Sequence, residues 1–381
     1  MSREFTMPQK IITGENALKN SGAIFREAGK KAFIVTGKHV VNLDFFKTLT
    51  DTLEAVGVGY TVFSGITGEP TDTMIEAGLA EYQCSGCDFF IGIGGGSPLD
   101  SIKAIGVLAV LGGNIADFMG QNIQAKLPPM IAIPTTAGTG SETTKFTIIT
   151  DLKNDVKMLL KGENLVPNMA IIDPEASVSS PKSVTAATGL DALTHAVESY
   201  TSKMAQPLTD TVALSAVQRI FKYLPRAYAD GTDMEARTEM AIAAFEAGIA
   251  INNASVTVVH GMSRPIGALF HVPHGISNAM LLPTCMAFAA GGAVKKFADL
   301  GRAIGANTDN DAMAATIFID ELKRICKVCE VPTLVQYGID RADFVAKIDK
   351  MATDALASGS PGNTIKAVTQ EDIVNLYHEI I

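Results

Sequence analysis

The chain has 381 residues, is 47% hydrophobic and 19% charged, and carries a formal net charge of −9. That length exceeds one ordinary core and predicts two domains, while the apolar content is that of a soluble globular protein. The acidic excess argues against nucleic acid or an anionic membrane as a partner, since both recruit a basic face.

In chain order, MSREFTMPQK lacks the apolar core of a signal peptide. KKAFIVTG (30–37) reads as a buried strand closed by a glycine turn, and GYTVFSG (59–65) as a second strand. DFFKTLTDTLEAVG and TDTMIEAGLAEYQCSG carry helical periodicity. CDFFIGIGGGS (87–97), PMIAIPTT (129–136) and MAIIDPE (169–175) are further strands. This alternation predicts an α/β domain over residues 1–180, with a mostly parallel sheet and helices on both faces. The longest charge-free apolar run, Ala104 to Ala116, is shorter than the roughly 20 residues a bilayer needs, so the expected compartment is the cytoplasm. From PKSVTAATG (181–189) onward, Ala-, Met- and Leu-rich helical stretches dominate, and residues 181–381 are predicted to form an all-α domain.

Two loops follow predicted strands. Gly94, Gly95 and Gly96, followed by Ser97, let a backbone approach a pyrophosphate closely, and the next helix offers its N-terminal amides. Ser97 stands where a Rossmann fingerprint has its third spaced glycine, so this is not that motif. A second loop, PTTAGTGSE (134–142), mixes hydroxyls with glycines. One such loop is satisfied by a steric turn; two at strand C-termini of one sheet point to a dinucleotide.

GLDALTHAVES and VVHGMSRPIGALFHVPHG hold Asp191, His195, His260 and His274. Asp191 and His195 lie one helical turn apart on one face. One carboxylate and three imidazoles suit a divalent ion such as Fe²⁺ or Zn²⁺. The pairs Cys84/Cys87 and Cys326/Cys329 have zinc-ribbon or redox spacing, but they are far apart in sequence. The second pair continues the helical stretch DELKRICKVCE, and inert buried thiols are expected.

GGGSPLDSIK, PTTAGTGSE, GLDALTHAVES and HGMSRPIGALFHVPHGISNAMLLP, in this order, resemble the iron-containing (group III) alcohol dehydrogenase family. The resemblance runs over essentially the whole chain. It implies a Rossmann-like domain joined to a helical one, a dehydroquinate synthase-like architecture with a cleft between them. It implies an NAD(P)-linked alcohol dehydrogenase or aldehyde reductase acting on a small alcohol or aldehyde, and a homo-oligomer. The metal would be held by Asp191, His195, His260 and His274. The NAD or NADP phosphates would lie on Gly94, Gly95, Gly96 and Ser97, with Asp100 by the same loop. Thr135, Thr136 and Thr139 would line the cofactor's other flank, and Lys157 would stand near the nicotinamide ribose. The metal would act as a Lewis acid on the substrate oxygen during hydride transfer.

Three departures from the family pattern carry expectations of their own. Where relatives have His-Pro, this chain has Arg264-Pro265; a fixed cation there suits an anionic substrate tail, and the competing reading is a salt bridge to a nearby acid. His271 replaces the usual Asp or Asn and suits a proton carrier between substrate oxygen and solvent, against a packing role. Many NAD-preferring relatives place an aspartate after the first strand; here Gly37 and Lys38 stand instead, which predicts tolerance of NADP. Two other functions compete: a non-redox lyase of the dehydroquinate synthase type, and a metal- or thiol-binding module built on the CxxC pairs.

Overall fold

A computed structural model describes residues 2–154 and 156–381. The chain divides into two compact units. One runs from Thr6 to Ser179; the other comprises Ser180–Ile381 together with the N-terminal residues up to Phe5.

The first unit is built on a six-stranded, wholly parallel sheet. In chain order it contains β1 (Lys10–Thr13), α1 (Gly22–Ala28), β2 (Lys31–Val35), α2 (Asp44–Ala55), β3 (Gly59–Phe63) and α3 (Asp72–Ser85). Then come β4 (Phe89–Gly94), α4 (Gly96–Leu111), β5 (Met130–Pro134), β6 (Phe146–Asp151), β7 (Val156–Lys161) and β8 (Met169–Ile172). The sheet order is β1-β8-β5-β4-β2-β3. Side chains alternate between its faces, as a two-residue period requires. Ile34, Phe89, Ile91 and Ile131 join one apolar core with Phe25, Leu49 and Leu53, whereas Phe33, Val35 and Phe90 join a second with Ile75, Ile102 and Ile105. Both faces are therefore covered by helices, which is why the strands read as continuous apolar runs.

Two features went beyond the expected strands. β1 is a four-residue, half-exposed edge strand, too short to show a pattern. β6 and β7 form a separate antiparallel hairpin, whose outward positions include Ile148 and Leu159, paired across the strands.

The second unit is helical: α5 (Lys182–Tyr200), α6 (Pro207–Ala229), α7 (Met234–Ala254), α8 (Val258–Phe270) and α9 (His274–Ala290). It continues with α10 (Val294–Ala303), α11 (Asp311–Val328), α12 (Leu334–Tyr337), α13 (Arg341–Ala357) and α14 (Gln370–Ile380). Side-chain caps start several of these helices: Asp233 accepts from Ala236 N, Asn310 from Met313 N and Asp340 from Asp343 N. α5 packs against α6, α7 and α9, and every residue from Gly189 to Tyr200 is buried. Polar residues on such a helix point into protein, so they must find partners or a ligand there. No single helix among the described residues is long and apolar enough to cross a membrane.

Candidate active site

α5 runs without a break, so Asp191 and His195 leave the same face one turn apart. α8 ends at His271, which takes the left-handed conformation (φ 54°), and α9 begins only three residues later at His274. That tight connection returns His274 toward His260. Gly275 completes the approach: a Cβ there would lie 2.3 Å from the Ala187 carbonyl, so only glycine lets the start of α9 sit this close to α5.

The result is a convergence of donors. Asp191 Oδ1 lies 3.9 Å from His195 Nε2, 3.8 Å from His260 Nε2 and 3.7 Å from His274 Nε2. Ligand atoms of Asp191, His195 and His260 all fall within 4.8 Å of one another. A tetrahedral ion with bonds of about 2.0–2.2 Å would separate its ligand atoms by roughly 3.3–3.6 Å, a few tenths of an ångström inside these spacings. Asp191, His195 and His260 are buried, while the His274 side chain is 44% exposed and marks the open side. Burial alone would push Asp191 up; His195, His274, His260 and the Asn278 amide outweigh it and hold the carboxyl below its usual range. One carboxylate and three imidazoles around one point fit a borderline divalent cation.

Two supporting residues were missed from the sequence. Glu198, fully buried, accepts from Thr257 Oγ1 and Val259 N at 2.7 Å each, and its Oε2 lies 2.5 Å from His260 Nδ1. An ionised Glu198 makes Nδ1 the donor, which leaves the Nε2 lone pair for a metal. Burial pushes the Glu198 carboxyl up, but His260 and Thr257 hold it below the usual range. Its spacing was the available signal, because Asp191, His195 and Glu198 follow a 4-then-3 helical rhythm along α5. Asn278, one turn after His274, is the other: its Nδ2 lies 2.8 Å from Asp191 Oδ1 and 3.1 Å from Nε2 of His260 and of His274.

In the first unit, sheet register brings the two loops together. β4 and β5 are neighbours with Gly94 opposite Pro134, so the segments that follow start side by side. Gly94 is left-handed (φ 149°). A Cβ on Gly95 would meet Thr136 at 3.7 Å, and one on Gly96 would press on Thr139 at 3.1 Å. α4 then starts at Gly96 with no side-chain cap and no acidic residue in its first turn, which leaves its amides for an anion. Thr136 Oγ1 is buried with no hydrogen-bond partner among the described residues, and Thr135 is buried beside it. A polar ligand along these loops would satisfy that hydroxyl, so the residues fit a dinucleotide.

The remaining expected residues are more dispersed. Asp100 is engaged within the protein: Oδ1 accepts from Ser141 Oγ at 2.5 Å and Oδ2 from Ile148 N at 3.0 Å, so the carboxylate ties the first loop's helix to the second loop. Gly37 stands just beyond β2 in a bridge with Gly65, and a Cβ there would be 2.9 Å from the Ile66 carbonyl; Lys38 beside it is exposed. Lys157, on β7, pairs with Glu69 at 2.7 Å. His271 is exposed at the end of α8. Arg264, one turn after His260, donates from Nη1 to Ser360 Oγ at 3.1 Å. Cys326 and Cys329 are buried thiols pushed up to about 12, chiefly by burial, as an inert pair should be.

Comparison with known proteins agrees across both units. Residues 8–174 match the family model described as iron-containing alcohol dehydrogenase, and residues 185–381 match that of the Fe-containing alcohol dehydrogenase family, C-terminal. The chain is 36% identical to the NAD-dependent methanol dehydrogenase of Bacillus methanolicus over 98% of both proteins. It is 34% identical to the lactaldehyde reductase of Escherichia coli, covering 98% of this chain and 99% of that one. A crystal structure of 1,3-propanediol oxidoreductase superimposes with a TM-score of 0.97 at 33% identity, over the whole of both chains.

Proposed function

The chain belongs to the iron-containing alcohol dehydrogenase family, and on that premise we propose how its residues divide the work. It is a metal-dependent, nicotinamide-linked alcohol dehydrogenase and aldehyde reductase. The matches favour this over a lyase of the dehydroquinate synthase type and over a thiol module.

Our assignment rests on one observation above all: Asp191 Oδ1 lies within 3.9 Å of three imidazole Nε2 atoms. Asp191, His195, His260 and His274 hold the ion, Fe²⁺ with Zn²⁺ as the substitute. When bound, it supplies a Lewis acid that stabilises charge on the substrate oxygen. Glu198 fixes the ring of His260, and Asn278 fixes the carboxylate of Asp191. The first unit is the dinucleotide-binding domain. Amides of Gly95, Gly96 and Ser97 at the start of α4 take the pyrophosphate, and Thr135, Thr136 and Thr139 take the facing side. Asp100 acts from behind, as a strut between the two loops. Lys157 serves the nicotinamide ribose, and Gly37 with Lys38 admits a 2′-phosphate. His271, exposed at the end of α8, exchanges the proton with solvent. The substrate is a small primary alcohol or aldehyde, and the enzyme is a cytoplasmic homo-oligomer.

The test is oxidation of NADH and NADPH by Fe²⁺-reconstituted protein with a panel of short aldehydes. Activity should disappear on chelation and in His195→Ala. If chelated protein is as active as the metal-loaded form, the metal assignment is wrong. For His271, His271→Asn keeps a residue that tolerates the left-handed cap; the pH profile of kcat should change shape if the ring carries the proton.

A further inference from the structure

Arg264 is a charge near the metal ligands that the machinery above leaves without a task. It follows His260 by one turn of α8, so the two side chains leave the same face with Cβ atoms about 5–6 Å apart. Among the described residues its guanidinium makes one hydrogen bond, to the neutral hydroxyl of Ser360, and no ion pair. The salt bridge that competed with a substrate role is therefore not formed. Glu198 is the acid whose charge reaches Arg264, yet its oxygens are engaged by His260, Thr257 and Val259.

Arg264 is half-buried, and the protein takes up few of its donors. A guanidinium has five N–H donors and stays charged at any working pH, so this one, with a single neutral acceptor among the described residues, leaves donors open to a ligand. Such a group is stable where a ligand supplies the missing oxygens. Formal charge points the same way. Asp191 and Glu198 contribute two negative charges, against three positive from Arg264 and a divalent ion, so a monoanion would neutralise the site.

We propose that Arg264 is the specificity residue for an aldehyde whose far end is an oxyanion, a carboxylate or sulfonate held by the guanidinium and Ser360. The one-turn separation from His260 limits that substrate to a few carbons between carbonyl and anion. In the reaction the carbonyl carbon gains hydride from NAD(P)H, the oxygen gains a proton from solvent, and the anionic end is unchanged. This rests on the dehydrogenase reading and names its substrate class.

The experiment compares 4-oxobutanoate with butanal, which have the same carbon count and differ in charge. Fe²⁺-reconstituted wild type, Arg264→Ala and Arg264→Lys are assayed with NADH and with NADPH. The ratio of kcat/KM for 4-oxobutanoate to that for butanal should fall at least tenfold in Arg264→Ala, mainly through KM, and recover in part in Arg264→Lys. Butane-1-sulfonate, which has no carbonyl, should inhibit wild type competitively against the aldehyde and inhibit Arg264→Ala at least tenfold more weakly. Equal losses for both aldehydes, or a wild type that reduces butanal but not 4-oxobutanoate, would overturn the proposal. Failure of wild type on every aldehyde and both cofactors would instead overturn the dehydrogenase reading beneath it. Thermal unfolding is followed for each variant, and Arg264→Gln replaces Arg264→Ala should the latter not fold.

Discussion

Glu198 Oε2 and His260 Nδ1 lie 2.5 Å apart, both side chains buried, on helices whose contributing residues are 62 positions apart in the chain. The contact fixes the tautomer of His260, leaving its Nε2 free for the proposed metal. Glutamine at 198 keeps the shape but offers one oxygen where three donors converge, so its NH₂ must face at least one of them. Glu198→Gln is expected to bind Zn²⁺ or Co²⁺ about 10–100-fold more weakly in chelator competition. Unchanged affinity would show that Glu198 only fills space.

The converging carboxylate and imidazoles were legible from sequence because they are chemically rare side chains. Asp191 and His195 needed only the period of α5. The two loops were legible as neighbours too, because both follow apolar strands, and β4 and β5 pair with Gly94 opposite Pro134. What supports them was harder to read. Glu198 has ordinary helical spacing, and nothing local distinguishes a carboxylate aimed at an imidazole 62 residues away from one aimed at solvent. Asp100 sits in the glycine-loop motif, yet Ser141, from the loop after β5, and Ile148, from β6 packed on α4, take up its oxygens. Long-range partners of this kind are decided by packing.

Acid–base behaviour of the first unit should follow Glu142. It is buried, its Oε2 has no hydrogen-bond partner among the described residues, and burial pushes it up to about 7 from 4.5. The folded form therefore keeps a proton that the unfolded chain has released between about pH 4.5 and 7. Stability from this group is fully present below 4.5 and falls as pH rises through 7. Lys103, buried nearby and pulled down to about 8, acts in a separate window: stability rises with pH between about 8 and 10.5. Glu142→Gln should flatten the fall across pH 4.5–7 and be more stable than wild type at pH 7.5, as read from urea midpoints at pH 5 and 7.5. Parallel wild-type and variant profiles would mean that Glu142 is ionised in the fold throughout.

Cofactor choice is best tested at Lys38. Gly37 itself is a poor site for mutation, since any Cβ would press within 2.9 Å of the Ile66 carbonyl. Lys38 is exposed and free to change. Wild type should use NADPH with kcat/KM within about tenfold of NADH, a gap of roughly 1.4 kcal/mol. Lys38→Asp should lower kcat/KM for NADPH at least tenfold relative to NADH, because a carboxylate there repels a 2′-phosphate. A wild type that strongly prefers NADH would refute the reading of this strand end.

The last prediction concerns backbone rather than charge. Gly275 lets the first turn of α9 press on Ala187, one turn before Asp191 on α5. Alanine would place a methyl 2.3 Å from the Ala187 carbonyl, and neither helix backbone can yield without moving a ligand. Gly275→Ala should cost about 1–3 kcal/mol of stability as an overpacked contact. It should also weaken metal binding, because His274 precedes the shifted residue while Asp191 stays with α5. The two effects separate in one measurement: unfolding with and without saturating Zn²⁺. If the stabilisation conferred by Zn²⁺ is the same in variant and wild type, the contact sets only the packing of α9 and not the position of His274.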